Sequence, residues 1–219
     1  GPFPMNTHGI LHIALCLVSG TLIATTACFA ESSQLLGKID FPNSGAAEAQ
    51  DDFIEGMLYM HNFEYDEASA AFQRAREIDP DFAMAYWGEA MTHHHSLWGR
   101  QSRTTAEDIL MRLGRTPEAR AAKCGTEREK DYMRAAEILF GMTKESQPLP
   151  KDARDVLYRD AMRAIHEPYP EDHESTTLYA LSILGVGSRD RDYATYMRAA
   201  AVLTQVCDAN RNHPGAAHY

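Results

Sequence analysis

Residues 51–99 read DDFIEGMLYMHNFEYDEASAAFQRAREIDPDFAMAYWGEAMTHHHSLWG, and within them the chain begins to repeat itself. A shift of 34 residues brings Gly56 onto Ala90, Phe53 onto Trp87, Met57 onto Met91 and His61 onto His95. Such a period implies stacked units, each covering an apolar face that it cannot bury alone. Gly56 and Ala90 are small where helices must approach closely. Ala68, Phe72 and Ala75 form an i, i+4, i+7 stripe that packs against them. Pro80 stops the second helix because it cannot donate to the hydrogen-bond ladder.

The chain of 219 residues, 44% of them hydrophobic, is long enough to bury a sizeable core. Its formal net charge of −10 and its lack of any Lys/Arg block argue against nucleic acid and anionic membrane surfaces as partners. Residues 5–30, MNTHGILHIALCLVSGTLIATTACFA, contain no Asp, Glu, Lys or Arg. An apolar run followed by small residues and Cys-Phe-Ala predicts a secretory signal cleaved after Ala30. Its alternatives are an uncleaved anchor or a lipid on Cys28. The first four residues read as an expression remnant or a translation artefact. The expected location is periplasmic or extracellular, with no membrane span once the signal is removed. Cys124 and Cys207 then remain, either bridged or as two separate thiols.

Residues 31–46 are polar and rich in Gly, Pro and Ser, which predicts a linker. The expected helices cover 47–62 and 66–78, then 82–97. Two short helical patterns within 99–125 follow, TTAEDILMRLG and TPEARAAKCG, with Thr available as caps. Further helices are expected over 126–142, 155–166, 176–184 and 192–209. Asn212-His213-Pro214-Gly215 is a stop, after which 216–219 would open another helix. The fold class is all-α, a solenoid of antiparallel helix pairs over 47–219 that turns irregular after one and a half repeats. Because an end helix with a polar outer face is missing from the pattern, the array is expected to continue past Tyr219 or to form half of an interface.

Phe53, Met57, Met60 and His61 share one face of the first helix, and Trp87, Met91, His94 and His95 are their counterparts. With Met84 and His93 beside them, these residues are expected to line a concave groove. One reading makes that groove a docking surface for a protein or peptide, with Met adaptable and Trp an anchor. The other makes it a metal site, with His61, His94 and His95 as ligands and His213 and His218 as further candidates. Thioethers beside the histidines would suit copper, carboxylates zinc or iron. His166 and His173 read as turn residues, and Glu67, Glu77 and Glu89 as solvated. No nucleophile elbow, phosphate-cradling Gly loop, CxxC or CxxCH is present, so no catalytic residue is assigned.

Gly56, Tyr59, Ala68, Phe72, Ala75 and Pro80 fall at the spacings of a tetratricopeptide repeat. FEYDEASAAFQRAREIDPDFAMAYWGEAMT, the following SLW and the final NHPGAAHY resemble a group of exported bacterial tetratricopeptide-repeat proteins whose role is largely unassigned. The resemblance implies a right-handed superhelix that scaffolds protein assemblies, and it carries no catalytic residues. Three functions therefore stand at this stage. They are a scaffold for a protein or peptide partner in the cell envelope, a copper- or zinc-binding protein or metalloenzyme, and a self-assembling protomer.

Overall fold

The repeat register is realised as a helix pair followed by a third helix. In the computed structural model, which describes residues 36–187 and 192–219, α1 spans Gln50–His61, α2 Tyr65–Ile78 and α3 Ala83–Met91. The proposed signal segment lies outside the described residues. Phe72 explains the glycines at the crossing of these helices. A Cβ at Gly56 would come within 2.8 Å of its ring, and one at Gly88 within 2.5 Å. On α3 it is therefore Gly88, rather than Ala90, that faces Phe72, although Ala90 is also buried.

The predicted helix over 82–97 stops at Met91. Thr92 turns the chain, its hydroxyl donating to the Glu89 carbonyl at 2.7 Å. The strands β1 (His94–His95) and β2 (Arg100–Gln101) then pair antiparallel around a 3-10 turn at Ser96–Trp98. Gly99 closes the hairpin at φ 62°, a conformation that favours glycine.

The remaining helices are α4 (Arg103–Leu113), α5 (Pro117–Ala121), α6 (Glu127–Leu139), α7 (Lys151–His166), α8 (His173–Gly185), α9 (Tyr193–Ala209) and α10 (Pro214–His218). Thr116 caps α5 as expected, and Thr126, expected as the first residue of its helix, is the cap of α6. In contrast, α4 begins at Arg103, ahead of the two threonines expected to cap it, and has no side-chain cap. The Asp172 carboxylate accepts from the Glu174 and Ser175 amides, which starts α8 three residues before the predicted Thr176. Each helix from α1 to α4 packs on the next, α6 returns to α3, and α7, α8 and α9 follow in order. The last helix, α10, packs on α9 and also on α1. α10 is therefore brought back against α1.

Residues 37–46, expected as a linker, lie across the helices as a strap. Phe41 is buried between Phe53 (centroids 5.3 Å apart), Trp87 (5.9 Å) and Tyr132 (5.4 Å). The Ser44 hydroxyl donates to the buried Glu129 carboxylate at 2.7 Å, and the Lys38 amide donates to the Asn212 carbonyl at 2.8 Å. One aromatic cluster thus joins the strap to α1, α3 and α6. Glu89, expected in solvent, is buried in an ion pair with Arg76 at 2.7 Å. Cys124 and Cys207 are both free thiols, lying against the carbonyls of Arg120 and Ala216 respectively. The outer side of α9 leaves Tyr193 and Met197 exposed.

Candidate functional site

The face expected to line an open groove is closed. Phe53, Met57, His61 and Met84 have no exposed surface, Trp87 retains 1%, and Met60, Met91 and His94 are also buried. The strap, Tyr132 of α6 and the returning C-terminal segment fill the space that an open solenoid would leave concave. Burying a Trp or Met side chain is worth about 1.5–3 kcal/mol, so this face serves as core. Docking of a partner on Phe53, Met57, Met60, Met84, Trp87 or Met91 is corrected accordingly: none is accessible without unfolding.

The histidines separate in the same way. His94 sits on the hairpin with its Nδ1 accepting from the Gln101 side-chain amide at 3.3 Å, edge-on to Tyr158. Burial, with the nearby charges of Lys151, His95 and Arg154, brings its pKa down to about 3. His95 donates from Nε2 to the Thr92 carbonyl at 3.1 Å and stacks on Tyr65 at 4.0 Å. Both stand on the hairpin rather than on α3, and neither shares a ligand set with His61. His218 donates from Nδ1 to the His61 carbonyl at 3.2 Å. His166 accepts or donates at Thr176 Oγ1 (2.9 Å) and stacks on Tyr179. His213 alone joins His61.

The residue that unites them is Glu174, in the first turn of α8. Its Oε2 lies 2.8 Å from His61 Nε2 and its Oε1 2.8 Å from His213 Nε2, and all three side chains are fully buried. The two imidazoles meet edge to face, 5.1 Å apart. Each is oriented from its far side. The Tyr219 hydroxyl is 2.8 Å from His61 Nδ1, while His213 caps α10 by accepting the Ala216 amide on Nδ1 at 3.3 Å. An Nδ1 that accepts leaves the proton of a neutral ring on Nε2, so His213 donates to Glu174. Gly215 permits this closeness, since a Cβ there would come within 2.5 Å of the Thr177 methyl and 2.6 Å of His61 Nδ1.

Burial alone would raise the Glu174 carboxyl pKa. The charge of His61 and the hydrogen bonds from His213 and His61 outweigh it and hold the pKa at about 2. Among the described residues, the direct ion-pair partners of Glu174 are these two imidazoles, with the Arg128 guanidinium acting on it as a more distant charge. Burial pushes the Tyr219 phenol well above its ordinary value. Thr177, one turn beyond Glu174, is fully buried, and its Oγ1 has no hydrogen-bond partner among the described residues. Two imidazoles and a carboxylate, each with one ligand atom within 4.8 Å of the others, form a set able to hold a metal. It suits zinc or iron better than copper.

Neither Glu174 nor Tyr219 stood out in the sequence. Glu174 reads as a first-turn acid suited to the helix dipole, and its partners lie 113 and 39 residues away along the chain.

A second concavity opens on the surface. It encloses about 790 Å³ between the strap (Pro42), the start of α6 (Thr126, Arg128) and the turn before α8 (Pro168, Tyr169, Pro170). Tyr169 is 61% exposed. Arg128 is held at its floor by an ion pair to Asp172 at 2.6 Å and by stacking over Phe41 and Tyr132. Glu127 and Glu171 complete an acidic margin.

Residues 53–82 match the family model of the tetratricopeptide repeat. The match coincides with most of α1, all of α2 and the turn into α3, so this all-α chain contains one tetratricopeptide repeat over those residues. A repeat of this type points to a scaffold for protein–protein contact. No curated protein and no solved structure matches the chain. Among the described residues no helix is long and apolar enough to cross a membrane.

Proposed function

We propose that the protein is an exported helical-repeat scaffold of the bacterial cell envelope that holds an apolar, basic segment of a protein partner in the Tyr169 groove. The observation that carries this reading is the contrast between the two concavities. The Met/Trp/His face is filled, whereas the groove beside Pro168-Tyr169-Pro170 is open and falls within the roughly 300–1,000 Å³ of ordinary ligand sites. Pro42, Pro168, Tyr169 and Pro170 supply part of its lining, and such side chains give rigid contact area at little entropic cost. The acidic margin of Glu127 and Glu171 and the formal charge of −10 favour a partner segment carrying Lys or Arg. Export is supported by the composition of residues 5–30.

The test is selection from a random peptide library on the full chain, followed by titration of the enriched peptides. Enrichment of apolar residues next to Lys or Arg is expected, and Tyr169→Asp should weaken binding by at least about 30-fold, the size of an interface hot spot. Enriched peptides that bind Tyr169→Asp as tightly as the parent chain would defeat the proposal.

A further inference from the structure

We propose that His61, Glu174 and His213 together bind one divalent transition-metal ion, with zinc as the fitting occupant. The ligands come from three parts of the chain, the end of α1, the start of α8 and the cap of α10. A bound ion would therefore tie α1, α8 and α10 together, and α1 and α10 already meet there. Two imidazole nitrogens and a carboxylate are a ligand set that zinc takes, with a water completing four-coordination. The Thr177 hydroxyl, buried without a partner one turn from Glu174, is available to bond that water. Its methyl and His61 Nδ1 both crowd the same Gly215, which packs Thr177 beside the His61 ring.

The geometry needs only a small adjustment. With bonds of about 2.0–2.1 Å, a tetrahedral ion places its ligand atoms about 3.3 Å apart. The two 2.8 Å contacts, one to each carboxylate oxygen, widen by about half an ångström, and ligand atoms that now lie within 4.8 Å of one another draw in toward that spacing as the ion replaces the bridging protons. Each ring must free its Nε2 of a proton before it can ligate, so ion binding is coupled to proton release. Once ligated, His61 keeps a proton on Nδ1 and donates it to the Tyr219 hydroxyl, which accepts as readily as it donates. His213 likewise carries its proton on Nδ1 and gives up the long bond from the Ala216 amide. The ion then compensates the buried Glu174 carboxylate. The Tyr219 hydroxyl becomes the outer partner that fixes the ring of a metal-bound histidine, a role whose loss costs about 10–100-fold in metal affinity.

The experiment uses the untagged full chain, stripped with a chelator and dialysed against zinc chloride, with elemental analysis and a competition titration. One zinc per chain is expected, accompanied by a shift of the Ala216 amide resonance. Glu174→Gln and His213→Gln should abolish the stoichiometric binding. Tyr219→Phe should keep the stoichiometry but weaken affinity about 10–100-fold. Less than about 0.1 zinc per chain in the parent protein, or a full complement in His213→Gln, overturns the proposal. Should the two ligand variants fail to fold, Tyr219→Phe decides the matter, because an unchanged affinity there overturns it.

Discussion

Replacing His94 by glutamine should flatten the acid side of the stability profile. His94 is buried on the hairpin, with Lys151 and Arg154 as neighbouring positive charges and no carboxylate among the groups that shift it. Burial and these charges keep it neutral in the folded chain down to about pH 3. Unfolded, it takes a proton near pH 6.5. The folded pKa is the lower of the two, so the unfolded state binds the extra proton and stability falls as pH drops between these values. The slope rises toward about 1.4 kcal/mol per pH unit below pH 6.5, which integrates to about 2.3 kcal/mol between pH 6.5 and 4.5. This window also avoids Glu174. That carboxyl is depressed to about 2 when folded, so its stabilising contribution is intact above its unfolded value near 4.3 and is lost only below it. Urea midpoints of the parent chain and His94→Gln, measured across the window, isolate the difference, since glutamine does not titrate there. Parallel profiles, with the same loss in both proteins, would show that His94 is not held neutral.

Two further changes probe the packing that closes the inner face. Gly88→Ala gains about 1 kcal/mol of helix propensity, but it drives a methyl within 2.5 Å of the Phe72 ring. That ring is confined by Gly56 and Phe53. Overpacking of this kind costs about 1–3 kcal/mol, so thermal unfolding should show a net loss, reversed to a gain in a Phe72→Leu background. A gain in the parent chain contradicts the packing. Arg120→Met strands the buried Glu137 carboxylate, now paired at 2.7 Å. It should cost about 3–5 kcal/mol in urea unfolding, most of it recovered by Glu137→Leu in the same chain; a cost below about 1 kcal/mol rules that out.

The parts of this molecule that could be read from its sequence are those whose partners are close in the chain. Gly56, Phe72 and Pro80 define a helix pair within a single repeat, and that pair is present in the structure. The caps at Thr116 and Thr126 are equally local. The error over the Met/Trp/His face arose from what covers it. Its partners are Phe41 in a strap whose Gly, Pro and Ser resemble a linker, Tyr132 from a helix beyond the irregular insertion, and a C-terminal segment that returns to α1. Periodicity shows that a face is apolar without showing whether solvent or protein lies against it. His94 and His95 were misplaced for a different reason. A 34-residue shift carries the helix of His61 forward, but Thr92 and Gly99 turn the chain into a hairpin first. Of the metal candidates, His61 follows from its place on the Met/His face of the first helix, and His213 from its residue type alone. Glu174, which brings them together, sits in a capped first turn where an acid needs no further explanation.

The central claim, that a partner meets the Tyr169 groove and not the filled face, is tested most directly by placing a photoreactive phenylalanine at position 169 in the native cell. The structure predicts a cross-link from that position to an apolar, basic segment of another protein, and its loss when that segment is supplied in excess as a free peptide. Cross-links that form only when the same probe stands at Trp98 or Tyr193, with position 169 silent, would contradict it.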